Sequence, residues 1–166
     1  MRKIILPHEE ENFLTHHYPR KDVFVRKAEF LEGEVGVEVT CLVPKNRQYS
    51  KKPVPYATLE NYVRCLSQAC YLLVEHALRE KLISVDVSVG EFLQAAANHE
   101  IYYRSLALHF HERAKRGEKF ILKLSIKNVQ EIKRLSKDYI LFTFANERTV
   151  ISGEMSFIYV NTPTED

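Results

Sequence analysis

No apolar run in this 166-residue chain approaches the roughly 20 residues needed to cross a bilayer as a helix, so no membrane association is expected. Charge of one sign is equally scarce. The 24 basic and 22 acidic side chains leave a formal net charge of +2, which excludes a domain that binds polyanions over its whole surface. No nucleic-acid partner is expected, and any basic patch must be local. Only three cysteines occur (Cys41, Cys65, Cys70), an odd count without framework spacing, which excludes a disulfide scaffold. The opening MRKIILPHEE turns acidic too early for an export signal. A reduced, cytoplasmic protein is the resulting expectation. Internal repeats, low-complexity tracts and linkers are also missing, so residues 1–166 read as one domain, long enough to bury a core.

What is present has a clear order. Segments 22–31 (DVFVRKAEFL) and 34–43 (EVGVEVTCLV) are β-branched or alternating and flank a short link with Gly33, which predicts a hairpin. The loop VPKNRQYSKKPVP follows. Within 56–77, Leu59, Tyr62, Val63, Leu66, Ala69, Cys70, Leu73 and Ala77 recur at steps of three and four, predicting a helix with a wide apolar face. A shorter helix is predicted at SVGEFLQAAANH, where Ser88 and Glu91 have capping-box spacing. The segments IYYRSLALHFH, KFILKLSIKNVQEIKRL, DYILFTFAN and TVISGEMSFIYV are long and alternating, joined by turn-like RAKRGE and NER, a pattern that predicts an antiparallel meander. Two strands, a helix and a further run of strands make an α+β layer in which a sheet buries the helix's apolar face. From Ala69 to Val74 the helix is apolar nearly all round, as a wrapped helix would be. Its first half instead carries Arg64, Ser67 and Gln68.

That order, with RCLSQACY in the long helix, the Ser88 cap in the second helix and Ser152, Gly153 and Glu154 in the last strand, resembles the FcoT-like acyl-CoA thioesterases of the hot-dog fold. The similarity runs from about residue 15 to residue 160, with Gln68 and Tyr71 matching a family glutamine and tyrosine. The resemblance implies an antiparallel sheet wrapped around a central helix and an acyl-CoA or acyl-carrier-protein thioester as substrate. It further implies a homodimer or higher homo-oligomer and no cofactor. Thioester hydrolysis needs donors for a developing oxyanion and a positioned water, and helix N-terminal amides supply the first. The polar first half of the helix would then line the site. Tyrosine hydroxyls and carboxamides take the place of a catalytic carboxylate in the family, which implies Tyr18 and Tyr49 here. Ser67 stands where the family has asparagine, and Ala57 or Thr58 stands near a second carboxamide position. Tyr56, Ala57, Glu60, Arg64 and Gln68 would contact substrate. Serine matches an amide's hydrogen bonding only in part, which raises two alternatives. One is addition or elimination, including amine addition, on an α,β-unsaturated acyl thioester; the other is a non-catalytic acyl-binding module.

Plainer readings stand beside these. Tyr18 and Tyr49 also read as surface loop aromatics, and Ser67 and Gln68 as groups bonded within the fold. Arg64 cannot act as a base, and Glu60 suits a first-turn acid favoured by the helix dipole. His109 and His111 share a strand face without an evident third ligand, so no metal is expected. Cys65 and Cys70 read as packing. In ERAKRGEKF, Arg113, Lys115, Arg116 and Lys119 read as a solvated turn or, like Lys45, Arg47, Lys51 and Lys52, as contacts to CoA phosphates or an acidic carrier.

Overall fold

The computed structural model describes residues 3–7, 11–31, 35–45, 54–98, 100–133 and 138–161. Gly33, Arg47, Tyr49, Lys51 and Lys52 lie outside the described residues. The architecture is α+β. Strand β1 (Lys3–Ile5) and helix α1 (Phe13–His17) precede a 3₁₀ turn at Arg20–Asp22 and the hairpin β2 (Val25–Phe30) and β3 (Gly36–Leu42). Helices α2 (Leu59–Arg79) and α3 (Val89–Ala97) follow, then β4 (Ile101–Phe110), β5 (Lys119–Lys133), β6 (Asp138–Asn146) and β7 (Ile151–Asn161). The seven strands form one sheet in the order β1-β2-β3-β5-β6-β7-β4, every neighbouring pair antiparallel.

The local chemistry explains the boundaries. Ser88 caps α3 as its spacing predicts: its Oγ accepts from the Glu91 N–H at 3.2 Å, and the Glu91 carboxylate accepts from the Ser88 N–H at 2.7 Å. Helix α1 has the same device in Asn12 and Thr15, and its Phe13 N–H donates to the buried Glu75 carboxylate at 2.9 Å. Arg79 holds the other Glu75 oxygen at 2.7 Å, so the buried charge is compensated. Neither β1 nor α1 is evident in the periodicity, because each is shorter than two repeats of its own pattern.

Helix α2 lies against β2, β3 and β5 and also contacts α1 and α3. From Ala69 to Val74 every residue but the half-buried Tyr71 is buried, as the all-round apolar pattern predicts. The core joins Leu66, Leu72 and Leu73 of α2 to Phe24, Leu122, Phe144 and Ile151. Leu59 departs from expectation. It is 54% exposed at the first position of α2.

The simple meander is the point that needs correction. Only β5, β6 and β7 follow one another; β4 pairs with β7 at the far edge. Residues 111–118 are no hairpin turn but a strap carrying the chain past the start of α2. The Ala114 carbonyl accepts from Ala57 N–H at 2.8 Å, Arg116 N–H donates to Pro55 at 2.9 Å, and Gly117 N–H donates to Val43 at 2.8 Å. Alternation marks a strand without naming its neighbour, so the order of β4 was open until the sheet closed.

Gly153 of β7 has φ +149° opposite β4, and a Cβ there would lie 2.0 Å from the Ala107 carbonyl oxygen. Gly153→Ala therefore combines a conformation closed to L-residues with a backbone collision. It should lose about 3 kcal/mol or more of unfolding free energy in denaturant titrations. Wild-type stability in that variant would mean β4 and β7 are not this close.

Candidate functional site

The start of α2 is built on Thr58 and Asn61. The Asn61 Oδ1 accepts from the Thr58 N–H at 2.9 Å and from the Thr58 hydroxyl at 3.1 Å, while Tyr56 forms an isolated bridge with Lys115 of the strap. Thr58 thus spends its hydroxyl on the helix cap. The buried carboxamide near the helix start is Asn61, three residues beyond Thr58, where apolar periodicity carries no signal of it.

Two clefts flank the first turns of α2. One, of about 590 Å³, is lined by Tyr18, Asp22, Glu60, Val63, Arg64 and Ser67 among others. The second, of about 470 Å³, is lined by Tyr56, Ala57, Tyr62, Phe110, His111 and Arg113 among others. Tyr18, Glu60, Arg64 and Ser67 are thus brought together, and Tyr56, Ala57 and Arg113 meet on the other flank. Gln68, Thr58, Lys115 and Arg116 line neither cleft.

Ser67 is buried at 7% exposure and donates to the Val63 carbonyl at 2.7 Å, one turn earlier. Its Oγ also hydrogen-bonds the hydroxyl of Tyr103, a β4 residue that the sequence reading passed over. With Ser67's proton engaged, Tyr103 is the donor in that pair. The Tyr103 ring stands edge-on to Phe157 with centroids 4.6 Å apart, which aims its hydroxyl at α2. Desolvation raises the Tyr71 and Tyr103 hydroxyls above their ordinary value, Tyr103 at its hydroxyl end although the residue is 45% exposed, and Cys70 and neighbouring tyrosines raise both further. Tyr18 is raised by burial too, with the Arg64 charge opposing. All three therefore remain protonated donors at neutral pH. Asp22, 42 residues from its partner, puts a carboxylate in the same cleft, held by Arg64 at 3.2 Å.

Gln68 belongs to the scaffold. It is fully buried; its Oε1 accepts from the Phe24 and Val25 N–H groups at 2.8 and 3.2 Å, and its Nε2 donates to the Asp22 carbonyl at 2.7 Å. A substrate contact for Gln68 is corrected on this ground, since its oxygen and nitrogen are both committed to backbone. Arg64 serves the same segment through Asp22 and lies over the Phe24 ring at 5.5 Å. In ERAKRGEKF the solvated-turn reading holds for Arg113, Lys115 and Lys119, which are exposed, with Arg113 over the Tyr56 ring at 5.5 Å and Lys115 paired with Glu118 at 3.8 Å; it is corrected for Arg116, which is buried.

His111 shares a 2.7 Å hydrogen bond with Ser152, and among the described residues no three His, Cys, Asp or Glu side chains converge as metal ligands. All three cysteines are buried and free, and burial pushes the Cys41 and Cys70 thiols up, away from nucleophilic character. No helix among the described residues is long and apolar enough to cross a membrane.

No family model matches the chain, and no curated protein matches it. Among solved structures it is similar to a crystal structure of uncharacterized protein PH1136 from Pyrococcus horikoshii, at 16% identity over 87% of this chain and 89% of that one, with a TM-score of 0.45. A likeness that distant lends nothing to a functional argument.

The tyrosines make a measurable pH signature. Tyr18, Tyr62, Tyr71, Tyr103 and Tyr159, among nine in the chain, are held above the ordinary range, chiefly by burial. Below the unfolded value of about 10 both states are neutral and stability is unaffected. As pH rises through it the unfolded chain loses protons that the folded chain keeps, so stability falls. A tyrosinate absorbance titration should show these five hydroxyls ionising late, together with alkaline unfolding. A single normal transition with the fold intact would contradict the burial of these hydroxyls.

Proposed function

We propose that the protein is an acyl-thioester hydrolase of the hot-dog fold, acting on fatty acyl-CoA or acyl-carrier-protein thioesters. The fold reading is supported by an antiparallel sheet packed against one long buried helix, with β4 returning to the far edge. The observation that carries the function is the cleft beside the N-terminal half of α2, lined by Tyr18 and by Ser67, whose hydroxyl is bonded to that of Tyr103, at the polar end of an otherwise apolar helix. In this reading Tyr103 turns its proton from Ser67 Oγ to the thioester carbonyl as negative charge develops on the carbonyl oxygen. Asp22 or Glu60, the carboxylates in the cleft, takes a proton from the attacking water. The carbon–sulfur bond breaks, and the thiolate leaves and is reprotonated, giving a free acid and a thiol.

A second reading is favoured by the state of Ser67. Its proton is held by Val63, so it is not a free donor where the resembled family has an amide. That suits addition of an already reactive amine across an α,β-unsaturated acyl thioester, with the thioester left intact. A panel of acyl-CoA and carrier-bound substrates, followed by free-thiol detection and product mass, separates the two. Hydrolysis releases thiol and free acid; addition raises the thioester mass by that of the amine without releasing thiol. Saturable binding with neither product would leave an acyl-binding module and overturn both.

We further infer a homodimer through β4. This edge strand leaves Tyr102 and Phe110 over half exposed and Leu106 39% exposed, along with its free backbone edge, an arrangement natural sheets cover by pairing. Light scattering should give at least twice the single-chain mass, and Leu106→Lys should shift it towards the monomer. A wild-type monomer at every concentration would refute the assembly.

A further inference from the structure

Arg116 is an anomaly in charge. The side chain is 6% exposed, its Nε donates to the Tyr56 carbonyl at 3.1 Å and its Nη2 to Asn61 Oδ1 at 3.2 Å. Its Nη1 is buried without a hydrogen-bond partner. Arg116 makes no ion pair among the described residues. Both of its acceptors are neutral and sit at the start of α2, whose 21 residues direct the positive end of their dipole to the same place. Two like charges therefore converge there; Glu60, the acid of that first turn, is exposed on the other flank and makes no ion pair with Arg116. A buried charge of this kind is costly, and a guanidinium, unlike a lysine ammonium, cannot escape by losing its proton. An anion bound beside Nη1 would offset that cost.

We propose that Arg116 and the first turn of α2 form a binding site for a phosphate-class anion, reached from the cleft lined by Tyr56, Ala57 and Arg113. Arg113, exposed above the Tyr56 ring, is the outer cation of the site and Arg116 the inner one. Nη1 is closed to water, so the anion reaches it as segment 54–57 moves outward. That segment is tied to the strap by Ala57 N–H to the Ala114 carbonyl, Arg116 N–H to the Pro55 carbonyl and Arg116 Nε to the Tyr56 carbonyl, and these bonds give way as it moves. The phosphate could be free or part of a larger molecule, and only the second source, coenzyme A, rests on the thioesterase reading.

The test is thermal unfolding at constant ionic strength in chloride, with inorganic phosphate, inorganic pyrophosphate or coenzyme A added. At one hundred times the dissociation constant, a ligand of the native state should raise the midpoint by about 5–10 °C. A rise with phosphate or pyrophosphate as well as coenzyme A identifies a free-phosphate site; a rise with coenzyme A alone identifies the coenzyme as the source. Asn61→Asp places a carboxylate on Arg116 within the same cap. It should melt higher than wild type without added phosphate and lose most of the anion-dependent rise. Arg116→Gln should also lose that rise; should it fail to fold, Asn61→Asp alone decides. No rise in wild type, an undiminished rise in Asn61→Asp, or an Asn61→Asp variant less stable than wild type in chloride would each overturn the site. The hydrolase reading fails separately, when wild type releases no thiol from any acyl thioester, whatever phosphate does to its melting.

Discussion

Gln68→Leu is expected to lower the unfolding free energy by about 3–5 kcal/mol, a loss that exceeds most single substitutions. Leucine has nearly the same volume, so the change leaves little cavity; what it removes is the partner of three backbone groups. The N–H groups of Phe24 and Val25 and the carbonyl of Asp22 all end on the fully buried Gln68 amide. Each buried group left unpaired costs about 1–3 kcal/mol, and relaxation of the 22–25 segment recovers part of the total. That relaxation reaches the cleft, because Asp22 would no longer be fixed opposite Arg64. Gln68→Glu is the informative companion. It keeps an acceptor for Phe24 and Val25 but turns a carboxylate oxygen towards the Asp22 carbonyl, so burial and repulsion would raise its pKa. The sign follows: below that raised value the neutral carboxyl can donate to Asp22, and stability should recover as pH falls. Denaturant titration at several pH values measures both variants. A Gln68→Leu variant within about 1 kcal/mol of wild type would show that water or another side chain already serves these groups.

Tyr103→Phe should cut turnover by about 10²- to 10³-fold, the usual cost of one positioned donor to an oxyanion, while the ring keeps its contact with Phe157 and the fold holds. Ser67→Ala tests the other half of the pair. It removes the hydroxyl on which Tyr103 rests but not the helix, and alanine suits a helix better than serine, so stability should hold or rise. If Ser67 orients the donor or a water, turnover should fall by less than in Tyr103→Phe. The double variant should then be little worse than Tyr103→Phe alone, because both act through one hydroxyl. Ser67→Asn restores the amide of the resembled family. Under hydrolysis it should preserve or increase thioester cleavage, provided the larger group displaces the Tyr103 hydroxyl without unfolding. Loss of an addition activity together with the appearance of cleavage would instead mark Ser67 as the change of reaction. Wild-type turnover in Tyr103→Phe, with an active wild type, would remove Tyr103 from the site.

The long helix was legible because Leu66, Ala69, Cys70 and Leu73 recur with the period of a buried helix, and all four are buried. The Ser88 cap was legible because a capping box is local, three residues end to end. The polarity of the helix's first half was legible as a fact but not as a set of roles. Gln68 and Ser67 sit side by side in the chain and look alike in the sequence. One ends on the backbone of residues 22–25, the other on Tyr103 of β4. Asp22, Asn61 and Tyr103 were missed for a related reason: each enters the picture through a partner 36 to 55 residues away.

By itself the sequence determined the two longer helices and the long strands, the α+β class and the absence of an excess charge of either sign, since periodicity, capping and composition act within a few residues or over the whole chain at once. Tertiary structure alone decided that β4 lies beside β7, that residues 111–118 strap the start of α2 and that Arg116 is buried there rather than free in solvent. It also decided which polar groups of α2 hold the fold and which face a cleft. The physical reason is that strand order and burial depend on which surfaces meet. A basic residue in a turn-like segment is solvated or buried according to what the closed sheet brings over it, and at Arg116 that is the first turn of a helix.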